Sequence, residues 1–135
     1  MKLKCERVEQ ITVFLENRPG ILADLCAHLS ERGVDIKAIS TIDNRDTGTV
    51  RLVVEQPGSA KEVLSEAGVA HSSTDCLAIE MPNNPGGFAR IARGLSRAGI
   101  NINYIYASGL PGSGSALGIF GVSDLERALS LDWET

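Results

Sequence analysis

The sequence repeats one pattern at an interval of sixty-six residues, and this repeat restricts the possible folds more than any other feature. The turn Asn17-x-Pro19-Gly20 recurs as Asn83-x-Pro85-Gly86. The same register continues without a gap through the pairs Ala23 and Ala89, Leu29 and Leu95, Ser30 and Ser96, Gly33 and Gly99, Ile36 and Ile102, Ile39 and Ile105, and Gly48 and Gly114. A fixed register over this length indicates two versions of one structural unit.

Each repeat predicts the same order of strands and helices. Apolar and polar residues alternate in QITVFLE and CLAIEM, which predicts a strand before each turn. The apolar residues after the turn follow a helical period that ends at Gly33 or Gly99, and VDIKAISTI and ININYIYAS then read as strands. TVRLVVE and SALGIFGV complete hairpins, and SAKEVLSEAG and SDLERALSL predict second helices with Ser59 and Ser123 as N-caps. VAHSS predicts a last strand in the first repeat, whereas only four residues follow Leu131 in the second.

The order β-α-β-β-α-β predicts an α+β fold of two ferredoxin-like units side by side. Each unit is expected to have an antiparallel sheet with its helices on one face. The predicted boundaries are residues 1–75 for the first unit and 76–135 for the second. Because the last strand of the second unit is short or missing, we expect an open sheet edge that another segment must cover.

The composition excludes several classes of function. Hydrophobic residues make up 43% of the 135 residues, enough for a packed core, and the net charge is −4. An acidic chain without a basic run does not favour a nucleic-acid or membrane partner. The N-terminal segment MKLKCERVEQ has no apolar core of a signal peptide, so a cytoplasmic protein is expected. Three dispersed cysteines and two isolated histidines predict neither a disulfide framework nor a metal site, and no cofactor is expected.

The repeated turn offers an anion-binding site at the start of each first helix. Pro19 suits the first helical turn because it has no N–H to leave unpaired, and Asn17 is expected to cap the helix through its side chain. Backbone N–H groups near a helix N-terminus bind anions such as carboxylates, and glycine permits close approach. In the second repeat, Gly86-Gly87 exposes more backbone, which favours this turn if only one of the two binds a ligand.

The candidate ligand-binding residues therefore cluster at the two turns and on one later strand. They are Asn17, Arg18, Pro19, Gly20, Ile21 and Leu22 in the first repeat, and Asn83, Asn84, Pro85, Gly86, Gly87 and Phe88 in the second, together with Asn101 and Asn103. Each turn has an alternative interpretation as a plain helix cap. Asn101 and Asn103 are equally well explained as solvated residues on a strand.

The segment SGLPGSGSALG, residues 108–118, is rich in glycine but does not read as a phosphate-binding loop. It lacks the terminal Gly-Lys-Ser/Thr and leads into a strand instead of a helix. We expect a mobile hairpin loop, which could act as a lid over a nearby ligand. No nucleophile has a base within predicted reach, so no catalytic residues are assigned.

The runs ENRPGILADLCAHLSERGVDIKAIS and MPNNPGGFARIARGLSRAGININYIYAS combine the turn, a helix that ends at glycine and a following I-x-I strand. With the β-α-β-β-α-β order, these runs resemble the ACT domain, and the resemblance extends over nearly the whole chain as a tandem pair. ACT domains are regulatory modules that bind small ligands, usually amino acids, and many are attached to metabolic enzymes. The chain resembles the stand-alone proteins with two ACT domains, which have no catalytic domain.

This resemblance implies a non-enzymatic regulatory protein that binds an amino acid and acts on a metabolic enzyme in trans. One alternative is a structural regulatory subunit that has lost ligand binding and works only through protein contacts. A small enzyme on a ferredoxin-like scaffold is a further alternative. A ligand screen separates the first two, because a real site raises the melting temperature with one or a few amino acids.

Apolar residues are also expected on the face of each sheet that carries no helix. The alternation places Phe14, Ile39 and Val53 there in the first repeat, and Ala78, Ile105, Leu117 and Ile119 in the second. An apolar face of this kind is unfavourable in water. We therefore expect a homodimer in which a second chain covers this face or the open edge.

Overall fold

The computed structural model describes residues 3–44, 47–109 and 112–133. The described chain forms six strands and four helices. In chain order these are β1 (Lys4–Glu16), α1 (Ile21–Glu31), β2 (Ile36–Asn44), β3 (Thr47–Val54), α2 (Pro57–Glu66), β4 (His71–Pro82), α3 (Gly87–Arg97), β5 (Ile102–Gly109), β6 (Ser115–Val122) and α4 (Leu125–Ser130). The predicted α+β class with ferredoxin-like units is confirmed.

The chain divides into two compact units, and the residues that belong to each unit differ from those of the predicted domains. The first unit consists of residues 9–74, and the second unit joins the N-terminal residues up to Val8 to those from Asp75 onward. The predicted division after residue 75 leaves the N-terminal residues with the first repeat. The difference arises because β1 is 13 residues long, and only its second half, from Ile11 to Glu16, pairs with β3.

The first unit has the strand order β2-β3-β1-β4. Strands β1 and β3 pair in antiparallel register, with Ile11 opposite Leu52 and Val13 opposite Val50. These four side chains are buried in one apolar core with residues of the two helices, including Leu25, Leu29, Ala60, Val63 and Leu64. The 3.6-residue period of α1 and the two-residue period of the strands thus direct the same apolar residues inward, as the sequence predicts.

The second unit has the strand order β1-β4-β6-β5, so the start of β1 lies beside β4. Leu3 is only 4% exposed and packs in the core of this unit with Leu77, Ile91 and Trp133. The backbone N–H of Leu3 donates to the carbonyl oxygen of Trp133 at 3.4 Å. The N-terminal segment therefore takes the place of the missing last strand, and no strand follows α4 in the part of the chain that the structure describes.

The two second helices begin at other residues than predicted. The N-cap of α2 is Gln56, and Pro57 occupies the first helical position, where its missing N–H costs nothing. The N-cap of α4 is Asp124, whose carboxylate accepts a hydrogen bond from the N–H of Arg127 at 3.1 Å. The predicted caps Ser59 and Ser123 were wrong, because a proline and a carboxylate next to them fit these positions better.

The sheet faces also differ from the prediction at two isoleucines. The register shifts in β2 after Ile36 and in β5 after Ile102. Ile39 consequently lies opposite the core residue Leu52, and Ile105 lies opposite the core residue Phe120. Residues opposite each other on neighbouring strands share a face, so both isoleucines are on the helix-bearing face and not on the opposite one.

The face without helices exposes less apolar surface than the alternation predicts. Phe14 is 49% exposed, as expected. Val53, Ala78 and Ile119, in contrast, are at most 3% exposed within the single chain, and Leu117 is half-buried. These buried residues cannot form a solvent-facing contact surface, which removes most of the expected basis for dimerisation through this face.

Candidate functional site

The two repeated Pro-Gly segments form the same tight turn. In the first unit, Pro19 and Gly20 are the central residues, and the N–H of Ile21 donates to the carbonyl oxygen of Arg18 at 3.4 Å. Gly20 has φ 86° and ψ −15°, which is the second central position of a type II turn. Gly86 repeats this conformation with φ 91° and ψ −8°. Left-handed backbone explains why glycine stands at both positions.

The helix begins after this turn, which corrects the predicted role of Pro19. Gly20 is the N-cap of α1, and it has no side chain with which to cap the helix. The first bond of α-helical type joins the N–H of Asp24 to the carbonyl oxygen of Gly20 at 2.9 Å. The N–H groups of Leu22 and Ala23 therefore precede the helical ladder, where they can receive an anion.

A cavity of about 280 Å³ opens beside this helix start. It is lined by Leu15, Glu16, Asn17, Arg18, Ile21, Leu22, Thr41, Ile42, Gly48, Thr49 and Val50. The lining combines apolar residues, among them Leu15, Ile21 and Val50, with the two threonines Thr41 and Thr49. At its rim the Nε of Arg18 donates to the Glu16 carboxylate at 3.1 Å, so one cation and one anion stand together.

The cavity brings together only part of the predicted set in the first repeat. Asn17, Arg18, Ile21 and Leu22 line it directly. Pro19 and Gly20 are absent from the lining and shape the turn that precedes the helix. The predicted turn is therefore one wall of the cavity.

The opposite wall comes from the β2–β3 hairpin, which the sequence did not indicate as part of the site. Thr41 and Ile42 lie near the end of β2, and Gly48, Thr49 and Val50 lie near the start of β3. Gly48 pairs with Leu15 and thereby carries the hairpin to the end of β1. The available signal was topological, because in a β-α-β-β order the second strand ends at the same side of the sheet as the first.

The corresponding corner of the second unit is occupied by its own hairpin. The N–H of Asn83 donates to the carbonyl oxygen of Gly114 at 3.4 Å, and its side-chain amide reaches Ser113 Oγ at 3.5 Å. A Cβ atom on Gly109 would lie 3.2 Å from the Asn83 side-chain oxygen. A cavity of about 380 Å³ in this unit is lined by Leu3, Lys4, Glu80, Met81, Pro82, Gly114 and Ser115 and by none of the candidates Asn83–Phe88.

Asn101 and Asn103 lie far from the turn of the second unit. The Asn101 amide donates to Asn103 at 2.9 Å, and the backbone N–H of Asn101 donates to Ser123 Oγ at 2.9 Å. Both asparagines are at the start of β5, whereas its end, Gly109, packs against Asn83. At about 3.3 Å per strand residue, roughly 20 Å or more separate them from the turn. The structure does not assemble these two parts of the predicted site.

The glycine-rich segment connects β5 to its antiparallel neighbour β6, as expected of a hairpin loop. Two of its residues, 110 and 111, lie outside the described residues. Within the described ranges, no three His, Cys, Asp or Glu side chains are close enough to hold a metal ion. Burial raises the pKa of the Cys5 thiol to about 11, so this thiol is not a reactive thiolate at neutral pH. None of the described helices has the length and apolarity to cross a membrane.

Comparison with known proteins identifies close structural relatives. A family model described as an ACT domain pair matches residues 6–131. The crystal structure of protein BT0572 from Bacteroides thetaiotaomicron is 27% identical and superimposes with a TM-score of 0.85 over 93% of this chain and 85% of that one. No curated protein sequence matches the chain significantly.

Regulatory subunits of aspartate kinase have the same fold. The ligand-free subunit from Thermus thermophilus is 17% identical, with a TM-score of 0.68 over 96% of this chain and 93% of that one. The subunit from Thermus flavus is 19% identical, with a TM-score of 0.65 over 96% and 91%. At these identities the likeness concerns the fold alone.

Proposed function

Because the chain belongs to the family of ACT domain pairs, we propose that it is a non-catalytic regulatory protein that binds an amino acid in the cavity beside α1. The carrying observation is that the turn, the start of α1 and the β2–β3 hairpin enclose one cavity of about 280 Å³. This volume is just below the range of roughly 300–1,000 Å³ typical of pockets for drug-sized ligands. It suits a ligand as small as an amino acid.

The charges at the rim match those of a zwitterion. Arg18 and the N–H groups at the start of α1 attract the α-carboxylate of the ligand, since a helix N-terminus carries partial positive charge. The Glu16 carboxylate accepts hydrogen bonds from the α-ammonium group of the ligand. The Glu16–Arg18 pair is exposed, with side chains 78% and 56% accessible, so opening it for a ligand costs little.

Binding in this cavity provides a physical route to regulation. A ligand held between α1 and the hairpin favours the arrangement of these elements in which both contact it, and it shifts the conformational equilibrium accordingly. We propose that a metabolic enzyme reads this shift in trans. The fold shared with regulatory subunits of aspartate kinase supports the regulatory role and does not identify the target.

The second candidate is a regulatory subunit that works through protein contacts without a ligand. The filled corner of the second unit, where Asn83 contacts Gly114, favours this alternative for that unit. We therefore expect one ligand per chain, bound in the first unit. The sequence had favoured the turn of the second repeat, and the cavity now supports the first.

A screen of the common amino acids by calorimetry and thermal shift tests the proposal. At a hundredfold excess over the dissociation constant, a ligand stabilises the chain by about 2.7 kcal/mol. This corresponds to a rise in melting temperature of about 5–10 °C for a protein of this size. Binding of one or a few amino acids at one site per chain is expected. The absence of any such binding would favour the ligand-free alternative.

The variant Gly48→Val locates the site. Gly48 lies in β3 and lines the cavity, and among the described residues the only atom within 4 Å of its Cβ position is the Leu15 carbonyl oxygen at 3.9 Å. Valine is favoured in strands, so the variant should fold and fill part of the cavity. The matched control is Gly114→Val, at the equivalent position of the second unit, where no atom lies within 4 Å. Loss of binding in the first variant alone supports the assignment, and equal loss in both contradicts it.

A further inference from the structure

The cavity of the first unit has one cation and one anion among the described residues that line it. These are Arg18 and Glu16, which form an ion pair at the rim. An amino acid that places its α-carboxylate near Arg18 and its α-ammonium group near Glu16 uses both charges. Its side chain then meets no further charge in the described lining, so an ionised side chain would leave water without gaining an opposite charge.

The rest of the cavity offers apolar surface to the ligand side chain. Gly48 pairs with Leu15 across the strands, and Val50 follows two residues later, so the three share the helix-bearing face of the sheet. Val50 is buried in the core of the unit, and Leu15 and Leu22 pack against this core. Thr41 lies opposite Val50 on the neighbouring strand. A side chain that extends from the rim toward the hairpin therefore contacts mainly apolar groups.

Gly48 leaves open space among these groups. It lies within β3, where glycine weakens a strand and often marks the close approach of a ligand. Its backbone conformation does not call for glycine, because the glycines with positive φ lie at other positions. Among the described residues, the only atom within 4 Å of an added Cβ atom is the Leu15 carbonyl oxygen at 3.9 Å. A ligand side chain can occupy this space.

From these observations we infer that the cavity selects amino acids with an uncharged aliphatic side chain, and that Gly48 sets the size of the side chain that it admits. The inference rests on the proposed function, since it takes an amino acid in this cavity as its starting point. Each buried methylene group strengthens binding by about fourfold. We therefore expect the affinity to rise from alanine through valine to leucine.

Leucine, asparagine and aspartate test this selection, because their side chains have nearly the same shape and differ in polarity and charge. Calorimetry with the full chain gives the three dissociation constants. Asparagine should bind roughly 5- to 100-fold more weakly than leucine, because its amide loses hydrogen bonds to water. Aspartate should bind more weakly still, because its charge has no partner. Norleucine and lysine provide the same comparison for a cation. Asparagine, aspartate or lysine binding as tightly as its aliphatic counterpart would overturn the inference.

The variant Gly48→Ala tests the role of the open space. The added methyl group takes up room that a large side chain needs, so the affinity for leucine should fall by about tenfold. Alanine as a ligand does not extend that far, and its affinity should stay unchanged. The matched control is Gly114→Ala, at the equivalent position of the second unit, where no described atom lies within 4 Å of the Cβ position. The control should keep the wild-type preference for leucine, and the melting temperatures without ligand show whether both variants fold. An unaltered preference in Gly48→Ala would contradict the role of Gly48.

The outcomes separate this inference from the proposed function. If no amino acid binds, the proposed function fails and the inference fails with it. If aspartate or lysine binds, loses its binding in Gly48→Val and is not matched by leucine, the site is the proposed one and the inference alone is overturned. Tight binding of leucine that Gly48→Ala weakens and Gly114→Ala does not supports both.

Discussion

The N-terminal strand of the second unit can be tested by truncating one side chain, Leu3→Ala. Leu3 is 4% exposed and packs in the same core as Leu77, Ile91 and Trp133. It lies well over one hundred residues from Trp133 in sequence, yet the two are joined by a backbone hydrogen bond of 3.4 Å. If the N-terminal segment completes this unit, removing the Leu3 side chain must leave a cavity in its core.

The expected loss in the free energy of unfolding of Leu3→Ala follows from the burial of the Leu3 side chain. Leu→Ala substitutions in cores cost about 2–5 kcal/mol, with the smaller values at sites where the surroundings relax. Leu3 directly precedes the first strand, close to the chain end, so we expect the lower part of this range, about 2–3 kcal/mol. With a urea m-value of about 2 kcal/mol/M, the unfolding midpoint should fall by roughly 1 M.

Urea unfolding followed by tryptophan fluorescence measures this loss in the right part of the molecule. Trp133 is the only tryptophan of the chain and lies in the core that contains Leu3. The control is Lys4→Ala, because the Lys4 side chain is 73% exposed and approaches Glu80 only at 3.9 Å. The control should cost less than about 0.5 kcal/mol. If Leu3→Ala unfolds at the same urea concentration as Lys4→Ala, the strand assignment is refuted.

Two further predictions concern packing and pH. A Cβ atom on Gly94 would lie 2.9 Å from the Trp133 ring, so Gly94→Ala should lose about 1 kcal/mol despite the better helix propensity of alanine. Gly58→Ala, with no atom within 4 Å, should be neutral or stabilising in the same urea experiment. The Lys61 ammonium, 2.7 Å away, holds the pKa of the Glu9 carboxyl below its ordinary value of 4.5. The ionised Glu9 carboxylate therefore stabilises the fold above about pH 4.5, and this contribution is lost as the pH falls through the lowered pKa. Glu9→Gln removes the titrating group, so it should flatten the decline in stability between about pH 5 and pH 3. An unchanged acid profile would contradict this.

The local features of the fold could be read from the sequence because their causes are local. The Pro-Gly pairs at residues 19–20 and 85–86 predict a tight turn through the fixed φ of proline and the left-handed conformation of glycine. The periods of two and of 3.6 residues locate strands and helices without knowledge of their neighbours. The repeat and these elements were enough to predict the ACT domain pair, which the family match confirms.

The starts of the second helices and the faces of the strands were not predicted correctly, because more than one local signal was present and the sequence pattern did not decide between them. Both Gln56 and Ser59 could have capped α2; the helix begins after Gln56 because Pro57 suits the first helical position. A one-residue register shift in β2 placed Ile39 on the helix-bearing face. Because strand side chains alternate, such a shift reverses the face of every later residue, and only strand pairing shows where it occurs.

The sequence predicted the turn side of the candidate site but not its hairpin side, because the hairpin reaches the cavity only through strand pairing. The turn residues Asn17 and Arg18 lie in a sequence motif, whereas Thr41 and Thr49 reach the cavity only through the pairing of β2 with β3 and of β3 with β1. The second turn has nearly the same sequence as the first. There, Asn83 contacts its own hairpin through the Gly114 carbonyl oxygen and Ser113 Oγ.

The sequence by itself determined that this chain contains two related α+β units, each with a Pro-Gly turn before its first helix. Short-range forces fix these features, since backbone sterics and apolar periodicity act within a few residues. The tertiary structure decided that Leu3 belongs with Trp133 and that the first turn borders a cavity beside the β2–β3 hairpin. These outcomes depend on contacts between residues far apart in the chain, where the burial of whole side chains selects one pairing among several that the local pattern permits.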